Sequence, residues 1–344
     1  MGPNLNTVLF SFIVPMYNAE STILSLLESI NDAMYLPYEI ICVNDGSTDG
    51  TKDIVVNYIY NNSHAILVNQ INSGPSVARN RGIRTASGKW ILFCDADDYY
   101  LVDGLKKLQE DVMSNSSVGL FVFNYIMNDN SRRHNEAKAV VSTREFLGSA
   151  YDNGDYLYIH ALWNKVYKKD IFELSGLLDE DYSLGEDALF NIRYLSSISK
   201  VAVYDIPLYK YNVWRGSLSH GGKTLDSLWG SYLTIYSAIL SLFQSNEIQE
   251  LDKKVFRRYF FGSINEYLKS GIKTKSDDRI LFMMLSNYSW ISRLNLKGCP
   301  NKFEIVLIYV SRHFGGHMAL ALCKLKRYRL GIKSLLDKLL RNSK

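Results

Sequence analysis

Apolar and polar positions along the first two hundred residues change period in regular blocks. Residues 8–14, VLFSFIV, are a strongly apolar stretch ended by Pro15, which predicts a strand. Asn18-Ala19-Glu20-Ser21 opens a helix running to about Asp32, with Ile23, Leu26, Leu27 and Ile30 on one face. Residues 39–43 form a second buried strand, stopped by the turn and capping residues Asn44-Asp45-Gly46-Ser47-Thr48-Asp49-Gly50. A helix over about 51–60, a short strand over 65–68, a loop at Asn72-Ser73-Gly74-Pro75 and a helix from Ser76 follow. Residues 90–94 are the fourth strand, 101–113 a helix and 119–126 another strand. Residues 128–138 are polar and irregular and read as an excursion. A helix over 188–195, a strand over 201–204 and the segment 207–211 complete this part. Strands alternating with helices predict an α/β fold: a Rossmann-like, mostly parallel sheet with helices on both faces and ligands beyond the carboxyl ends of the strands.

From about Leu225 the spacing is helical only, over 232–243, 253–268, 278–290 and 320–340. The pattern therefore predicts two domains, 1–222 α/β and 223–344 helical, without internal repeats. At 344 residues, 47% of them hydrophobic, the chain can bury a substantial core. Its net charge of +4 is unevenly spread. Residues 301–344 carry ten Lys or Arg against Glu304 and Asp337, an excess of +8 that leaves −4 for the rest. Such asymmetry points the tail at an anionic partner, membrane or nucleic acid. Cys42, Cys94, Cys299 and Cys323 match no zinc spacing and read as reduced thiols of a cytoplasmic protein. No basic stretch with a long apolar run opens the chain, so no secretory leader is expected, and the apolar run 303–310 is too short to span a bilayer.

Candidate chemistry gathers where strands end. Ile91-Leu92-Phe93-Cys94 runs directly into Asp95-Ala96-Asp97-Asp98. Burying unpaired carboxylates is costly, so this cluster belongs at the mouth of the sheet beside a cation. On a continued strand Asp95 and Asp97 would face one side, and hard oxygen ligands suit Mg²⁺ or Mn²⁺. The same spacing equally suits a strand-to-helix turn in which Asp98 caps the next helix. Pro15-Met16-Tyr17 and Asp45-Gly46-Ser47 also follow strand ends, so all three groups should converge on one rim. Neither a glycine-rich dinucleotide fingerprint nor a phosphate loop is present. Glu186 and Asp187 open an apolar helix, where helix-dipole stabilisation of about 0.3–1 kcal/mol would alone account for two acids.

Taken in order, Phe12-Ile13-Val14-Pro15-Met16-Tyr17-Asn18, Val43-Asn44-Asp45-Gly46-Ser47-Thr48-Asp49, Gly74-Pro75-Ser76-Val77-Ala78-Arg79-Asn80-Arg81-Gly82, Asp95-Ala96-Asp97-Asp98, Gly185-Glu186-Asp187 and Gly216-Ser217-Leu218-Ser219 resemble the family-2 glycosyltransferases over residues 8–220. That resemblance implies the GT-A fold, a nucleotide-diphosphate sugar as donor and, in most members, inversion at the anomeric carbon. The Trp163-Asn164-Lys165 stretch looks like bacterial enzymes that build capsules, exopolysaccharide and lipopolysaccharide, and is expected to cross the acceptor side. By resemblance Asp187 is the general base, and Glu186 orients it or the acceptor. Asp97 is the direct ligand of Mn²⁺ or Mg²⁺, Asp95 lies near the ribose and the metal's waters, and His220 is a third ligand or a phosphate contact. Pro15, Tyr17 and Asn18 would shape the nucleotide pocket, with Tyr17 stacking on the base. Asp45 would accept from the uracil imide N–H, favouring UDP, and Asn72 and Arg79 would contact base or diphosphate. Asn212 follows Tyr211 where relatives often carry arginine, so Arg215 would take over the diphosphate contact. Each residue also has a plainer reading: a core aromatic for Tyr17, an ion pair for Arg79, a structural histidine for His220.

The helical region lies outside the resemblance. Over 320–340 Lys and Arg interleave with Leu, Ile and Tyr, which reads as a basic amphipathic helix lying on an anionic leaflet, suited to a lipid-linked glycan acceptor at the inner face of a bacterial membrane. The other reading is a bundle packing on the catalytic domain or forming a homodimer. Nucleic-acid binding is disfavoured, because the tail is rich in leucine and poor in base-reading side chains. A sugar-phosphate nucleotidyltransferase would carry a glycine-rich basic loop where Pro15-Met16-Tyr17-Asn18 stands. A non-catalytic relative would lack the acid clusters.

Overall fold

In the computed structural model, described over residues 7–115, 117–127, 132–133, 139–152, 157–181, 185–212, 231–235, 237–239, 264, 281, 284, 319 and 323, the apolar runs become the strands of one sheet. The first half alternates as expected: β1 (Phe10–Met16), α1 (Ile23–Asn31), β2 (Tyr38–Asp45), α2 (Thr51–Asn61), β3 (Ala65–Gln70), α3 (Pro75–Thr85) and β4 (Trp90–Phe93). Then come β5 (Tyr99–Tyr100), α4 (Val102–Asp111), β6 (Leu120–Met127), β7 (Arg132–Arg133), β8 (Ala139–Ser142), α5 (Thr143–Asp152), α6 (Leu157–His160), β9 (Lys165–Lys168), α7 (Phe172–Ser175), α8 (Glu186–Ser196) and β10 (Lys200–Tyr211). The strand order is β3-β2-β1-β4-β9-β6-β10-β5, with β7 beside β6 and β8 beside β10. Strands β1 to β4 pair in parallel, as do β6 and β10.

Three local expectations differ from what forms. The stretch read as an amphipathic crossing enters the sheet: from Lys165 it forms β9, inserted antiparallel between β4 and β6. Val166 and Tyr167 are buried there, and Phe93 and Phe190 pack on the Tyr167 ring. Pro15 does not end β1, which continues to Met16. Pairing with β4 stops at Ile13, so beyond it Pro15 has only β2 as a neighbour and needs no N–H on the other side. Asp95 and Asp97 do not continue β4. The chain turns, and the Asp98 N–H donates to the Asp95 carbonyl at 3.1 Å.

Burial follows the apolar spacing. Helix α1 buries Ile23, Leu26, Leu27 and Ile30, the face its period predicts. Helix α3 lies so close to β1 that a Cβ at Gly82 would stand 2.3 Å from Ile13 Cγ2. Gly82→Ala is therefore expected to destabilise the fold by about 1–3 kcal/mol, as overpacking does, and Ile13→Val in the same chain should recover part of it. Urea unfolding of the single and double variants measures both.

The chain divides into two units, Met1–Arg215 and Gly216–Lys344. All described residues of the second unit are helical, and Ile235 and Ile239, four apart, are both buried. Among the described residues no helix is long and apolar enough to cross a membrane. The basic helix expected over 320–340 lies outside them, apart from Cys323.

Candidate active site

Register brings the strand ends to one rim: Met16 stands beside Asn44, Asp45 beside Gln70, and Ile13 beside Phe93, the last residue of β4. The first two loops interlock. Asn18 takes a left-handed backbone (φ 50°), which asparagine tolerates, and its Oδ1 accepts from the Thr48 N–H at 2.8 Å. The Asn18 N–H donates to Ser47 Oγ at 3.1 Å, and Gly50 N–H to Glu20 Oε2 at 2.7 Å. Pro15 is part-exposed and the Tyr17 ring is half exposed, a face on which a planar base can stack.

Asp45 is nearly buried, and its oxygens hold the third loop. Oδ1 accepts from Gln70 Nε2 and the Ser73 N–H, both at 2.8 Å, and Oδ2 from the Gly74 N–H at 2.9 Å. Its visible work is therefore to build the wall of the pocket. Gly46 (φ 75°) lies under Asn72, whose backbone N would be 2.8 Å from any Cβ placed there. A side chain at 46 would push Asn72 out of this loop.

The acids meet at Arg79. This arginine is nearly buried on α3, and Nη2 pairs with Asp95 Oδ1 at 3.0 Å while Nη1 pairs with Asp187 Oδ1 at 3.2 Å. Burial alone would lower the guanidinium's pKa, but Asp187 and Asp95 more than offset it and raise it. The Asp187 carboxyl is pushed up to about 7, by burial first, against the pull of Arg79 and with repulsion from Glu186 and Asp95. Its side chain keeps 28% exposure, so an edge remains reachable. Asp187 is thus a carboxyl near its own midpoint at neutral pH, the condition a proton acceptor needs. Glu186 is part-exposed beside it at the start of α8.

In the acidic turn the three carboxyls divide. Asp97 is raised by burial and then by the charge of Asp95. Two carboxylates repelling each other in a part-dry pocket fit a hard divalent cation. Among the described residues no three His, Cys, Asp or Glu side chains gather into a cage. Asp97 and Asp95 would turn carboxylate oxygens toward such an ion, and a hard cation of this kind also takes water and phosphate oxygens. Asp98 is wholly buried, and burial first and then the charge of Asp95 push its carboxyl up to about 9. Its Oδ1 accepts from the Asn212 N–H at 2.7 Å, and Asn212 Nδ2 donates to the Asp97 carbonyl at 2.7 Å. Asp98 is more than a turn residue: it fastens the end of β10 to the acids. Arg215 and His220 lie outside the described residues.

Sequence reasoning missed the residues that hold the acids in place. The Tyr209 hydroxyl accepts from the Asp95 N–H at 2.9 Å. Asn80, next to Arg79, donates to the Leu178 carbonyl and Glu180 Oε1 at 2.9 and 2.8 Å and so ties down the chain before α8. The run Arg79-Asn80 within a recognised motif was the available signal for Asn80; Tyr209 had none. Burial pushes the Cys42 thiol up to about 12 and the Cys94 thiol well up, so neither is a nucleophile.

Residues 11–173 match the profile of the family described as Glycosyl transferase family 2. The chain is 31% identical over 217 residues to the uncharacterized glycosyltransferase EpsJ of Bacillus subtilis, covering 61% of this chain and 63% of that one, less than two thirds of the relative's length. It is 32% identical over 128 residues to the UDP-Glc:alpha-D-GlcNAc-diphosphoundecaprenol beta-1,3-glucosyltransferase WfgD of Escherichia coli, covering 37% of this chain and 50% of that one. Among solved structures, TarS 1–349 of S. aureus in complex with UDP superposes with a TM-score of 0.70 at 20% identity, covering 94% of this chain and 92% of that one. The α/β layers described above are accordingly those of the GT-A fold.

Proposed function

Residues 11–173 are a family-2 glycosyltransferase domain, and from that premise we propose that the protein is an inverting transferase moving a sugar from a UDP-sugar to a lipid-linked glycan in bacterial surface polysaccharide synthesis. The observation that carries the reading is the Arg79 bridge. One guanidinium holds an acid of the donor rim, Asp95, and an acid of a separate helix, Asp187, on the two sides of one small site. The relative WfgD, by its name, uses UDP-glucose and a diphosphoundecaprenol-linked acceptor, which supports both substrate classes.

In this reading Tyr17, Asn18 and Pro15 receive the uridine, with Asp45 keeping the pocket wall and Asn72 at its edge. Asp97, with Asp95, would hold Mn²⁺ or Mg²⁺, which when bound neutralises charge on the departing diphosphate. The acceptor hydroxyl attacks the anomeric carbon from the face opposite the diphosphate, and its proton passes to Asp187. A new carbon–oxygen bond forms as the carbon–phosphate oxygen bond breaks, and UDP leaves with the electron pair. One displacement inverts the centre, so a UDP-α-sugar gives a β-linkage. Arg79 orients Asp187 and faces the diphosphate, and Glu186 orients the acceptor. Arg215 and His220 are proposed as further diphosphate or metal contacts. The interleaved basic and apolar residues of 320–340 support peripheral attachment to the cytoplasmic face of the membrane, with dimerisation as the alternative use of the helical region.

A donor screen by UDP release, with Mn²⁺ or Mg²⁺ present, tests the reading. UDP-sugars should be turned over slowly with water as acceptor, and chelation should stop the release. Asp97→Asn is expected to raise the Mn²⁺ needed for half-maximal rate at least about tenfold. Absence of UDP release from every UDP-sugar, with no UDP binding by calorimetry, would return the fold to a nucleotidyltransferase-like or non-catalytic role.

A further inference from the structure

The acids Asp95, Asp97 and Asp98 stand in a turn between two strands, where no sheet ladder fixes the backbone. Strand β4 ends at Phe93, and one further bond runs from the Cys94 N–H to the Ile13 carbonyl at 3.0 Å. Pairing resumes at Tyr99 and Tyr100, antiparallel to Lys210 and Tyr209 of β10, and the Leu101 N–H donates to the Leu208 carbonyl at 2.8 Å. Between these points the end of β10 grips the turn through two side chains. The Tyr209 hydroxyl accepts from the Asp95 N–H at 2.9 Å, and Asn212 Nδ2 donates to the Asp97 carbonyl at 2.7 Å. The transfer step as derived above gives neither residue a task.

Both grips are themselves held in place. The Tyr209 ring is wholly buried, stacked on Trp163 with 4.9 Å between centroids and edge-on to Tyr100 at 5.1 Å. Asn212 is nearly buried, and its own N–H is bound to Asp98 Oδ1. Each grip acts on a peptide plane next to an acid. A carbonyl fixed in direction fixes the plane that follows the Asp97 Cα, and a fixed N–H fixes the plane that precedes the Asp95 Cα. The arc through which each carboxylate can swing is narrowed accordingly. Both grips take main-chain atoms and so leave the two carboxylates to other partners, Arg79 among them.

We propose that Tyr209 and Asn212 are positioning residues of the donor site: from the end of β10 they hold the main chain at Asp95 and Asp97 so that both carboxylates are aimed at the cation and the diphosphate, while touching neither. This rests on reading Asp97 and Asp95 as the residues that hold the cation. A turn set in advance loses little freedom when its ligand binds, and that saving appears as affinity. Groups that orient ligating carboxylates typically account for about 10–100-fold in metal affinity.

The test titrates UDP into the full chain by calorimetry, once with Mn²⁺ in excess and once with EDTA, for the wild type, Tyr209→Phe and Asn212→Ala. Phenylalanine keeps the ring that stacks on Trp163 and removes the hydroxyl. Alanine keeps the main-chain N–H that holds Asp98 and removes the amide from the Asp97 carbonyl. Each variant should bind UDP about tenfold or more weakly in Mn²⁺, and within about twofold of the wild type in EDTA, where the cation makes no contribution. Thermal melts and near-ultraviolet circular dichroism check the fold. Should Asn212→Ala not fold, Tyr209→Phe, which preserves the buried ring, decides the matter alone. A loss of the same size in Mn²⁺ and in EDTA, or unchanged affinities beside a lower melting temperature, overturns the proposal and leaves both residues as supports of the sheet. A wild type that binds UDP equally in Mn²⁺ and in EDTA overturns the reading of Asp97 and Asp95 as the cation's holders, and the role of Tyr209 and Asn212 falls with it.

Discussion

Asp187→Asn should lower turnover by about a thousandfold, within the usual span of about 10²–10⁴ for a lost general base, while UDP affinity changes little. The substitution keeps the shape of the side chain and removes only its capacity to take a proton. UDP binding should be largely spared because the loops at Asn18 and Asp45 hold their own hydrogen bonds, and Arg79, the partner of position 187, keeps its pairing with Asp95. The wild-type rate should rise with pH through about 7, the midpoint of the Asp187 carboxyl, as the base ionises. Stability runs the other way. The folded carboxyl is raised to about 7, above the ordinary value of about 3.9 for an unfolded aspartate, so between these values the folded chain binds more protons than the unfolded one. The contribution of Asp187 to stability is therefore present at low pH and lost as pH rises toward about 7. Asparagine has no charge to bury, so above that pH the variant should melt no lower than the wild type, a catalytic residue whose ionisation the fold tolerates at a cost. Steady-state UDP release, calorimetric UDP titration and thermal melts at two pH values measure the three effects. Near-normal turnover with saturating donor and acceptor would require another base.

The rim was legible in the sequence because its determinants are local. Strongly apolar stretches mark β1, β2 and β4, and Asp45-Gly46-Ser47 and Asp95-Ala96-Asp97 stand at strand ends as expected. Gly185-Glu186-Asp187 was legible in the same way, as a helix start carrying two acids. What escaped is what long-range pairing decides. Nothing in the period around Lys165 says that β9, Lys165–Lys168, inserts antiparallel between β4 and β6. The single twelve-residue β10, with irregular register between Tyr204 and Tyr209, reads in sequence as two pieces separated by Pro207. The contacts of Asn212 with Asp98 and of Tyr209 with Asp95 span more than a hundred residues, and the resemblance to a family marked only that Asn212 replaces an arginine. Asp98 shows the limit most clearly: an acid in a run of turn residues suits the surface, yet it is wholly buried, with Oδ1 held by the distant Asn212 N–H.

Arg79→Met should abolish most activity and weaken the fold together, because one side chain serves both. The methionine keeps the stem's packing and removes the fork that reaches Asp95 and Asp187. Two carboxylates, with Glu186 close by, are left facing one another without their shared cation. Removing one member of a buried ion pair costs about 3–5 kcal/mol, and the partial exposure of Asp95 and Asp187, 32% and 28%, places this case at or below the low end of that range. Turnover should fall by about a thousandfold or more, combining a misplaced base with a lost diphosphate contact. What remains should show its acid limb moved to higher pH, since Arg79 pulls the Asp187 carboxyl down. Arg79→Lys separates charge from geometry. A lysine ammonium is a point charge that can satisfy one of the two acids but lacks the planar fork that bridges both. It should recover most of the stability and little of the rate. Urea unfolding and pH–rate profiles of the two variants read these apart: a methionine variant with the wild-type midpoint would show that Arg79 leaves the charge of Asp187 alone, and a fully active lysine variant would show that bridging the two acids is no part of the reaction.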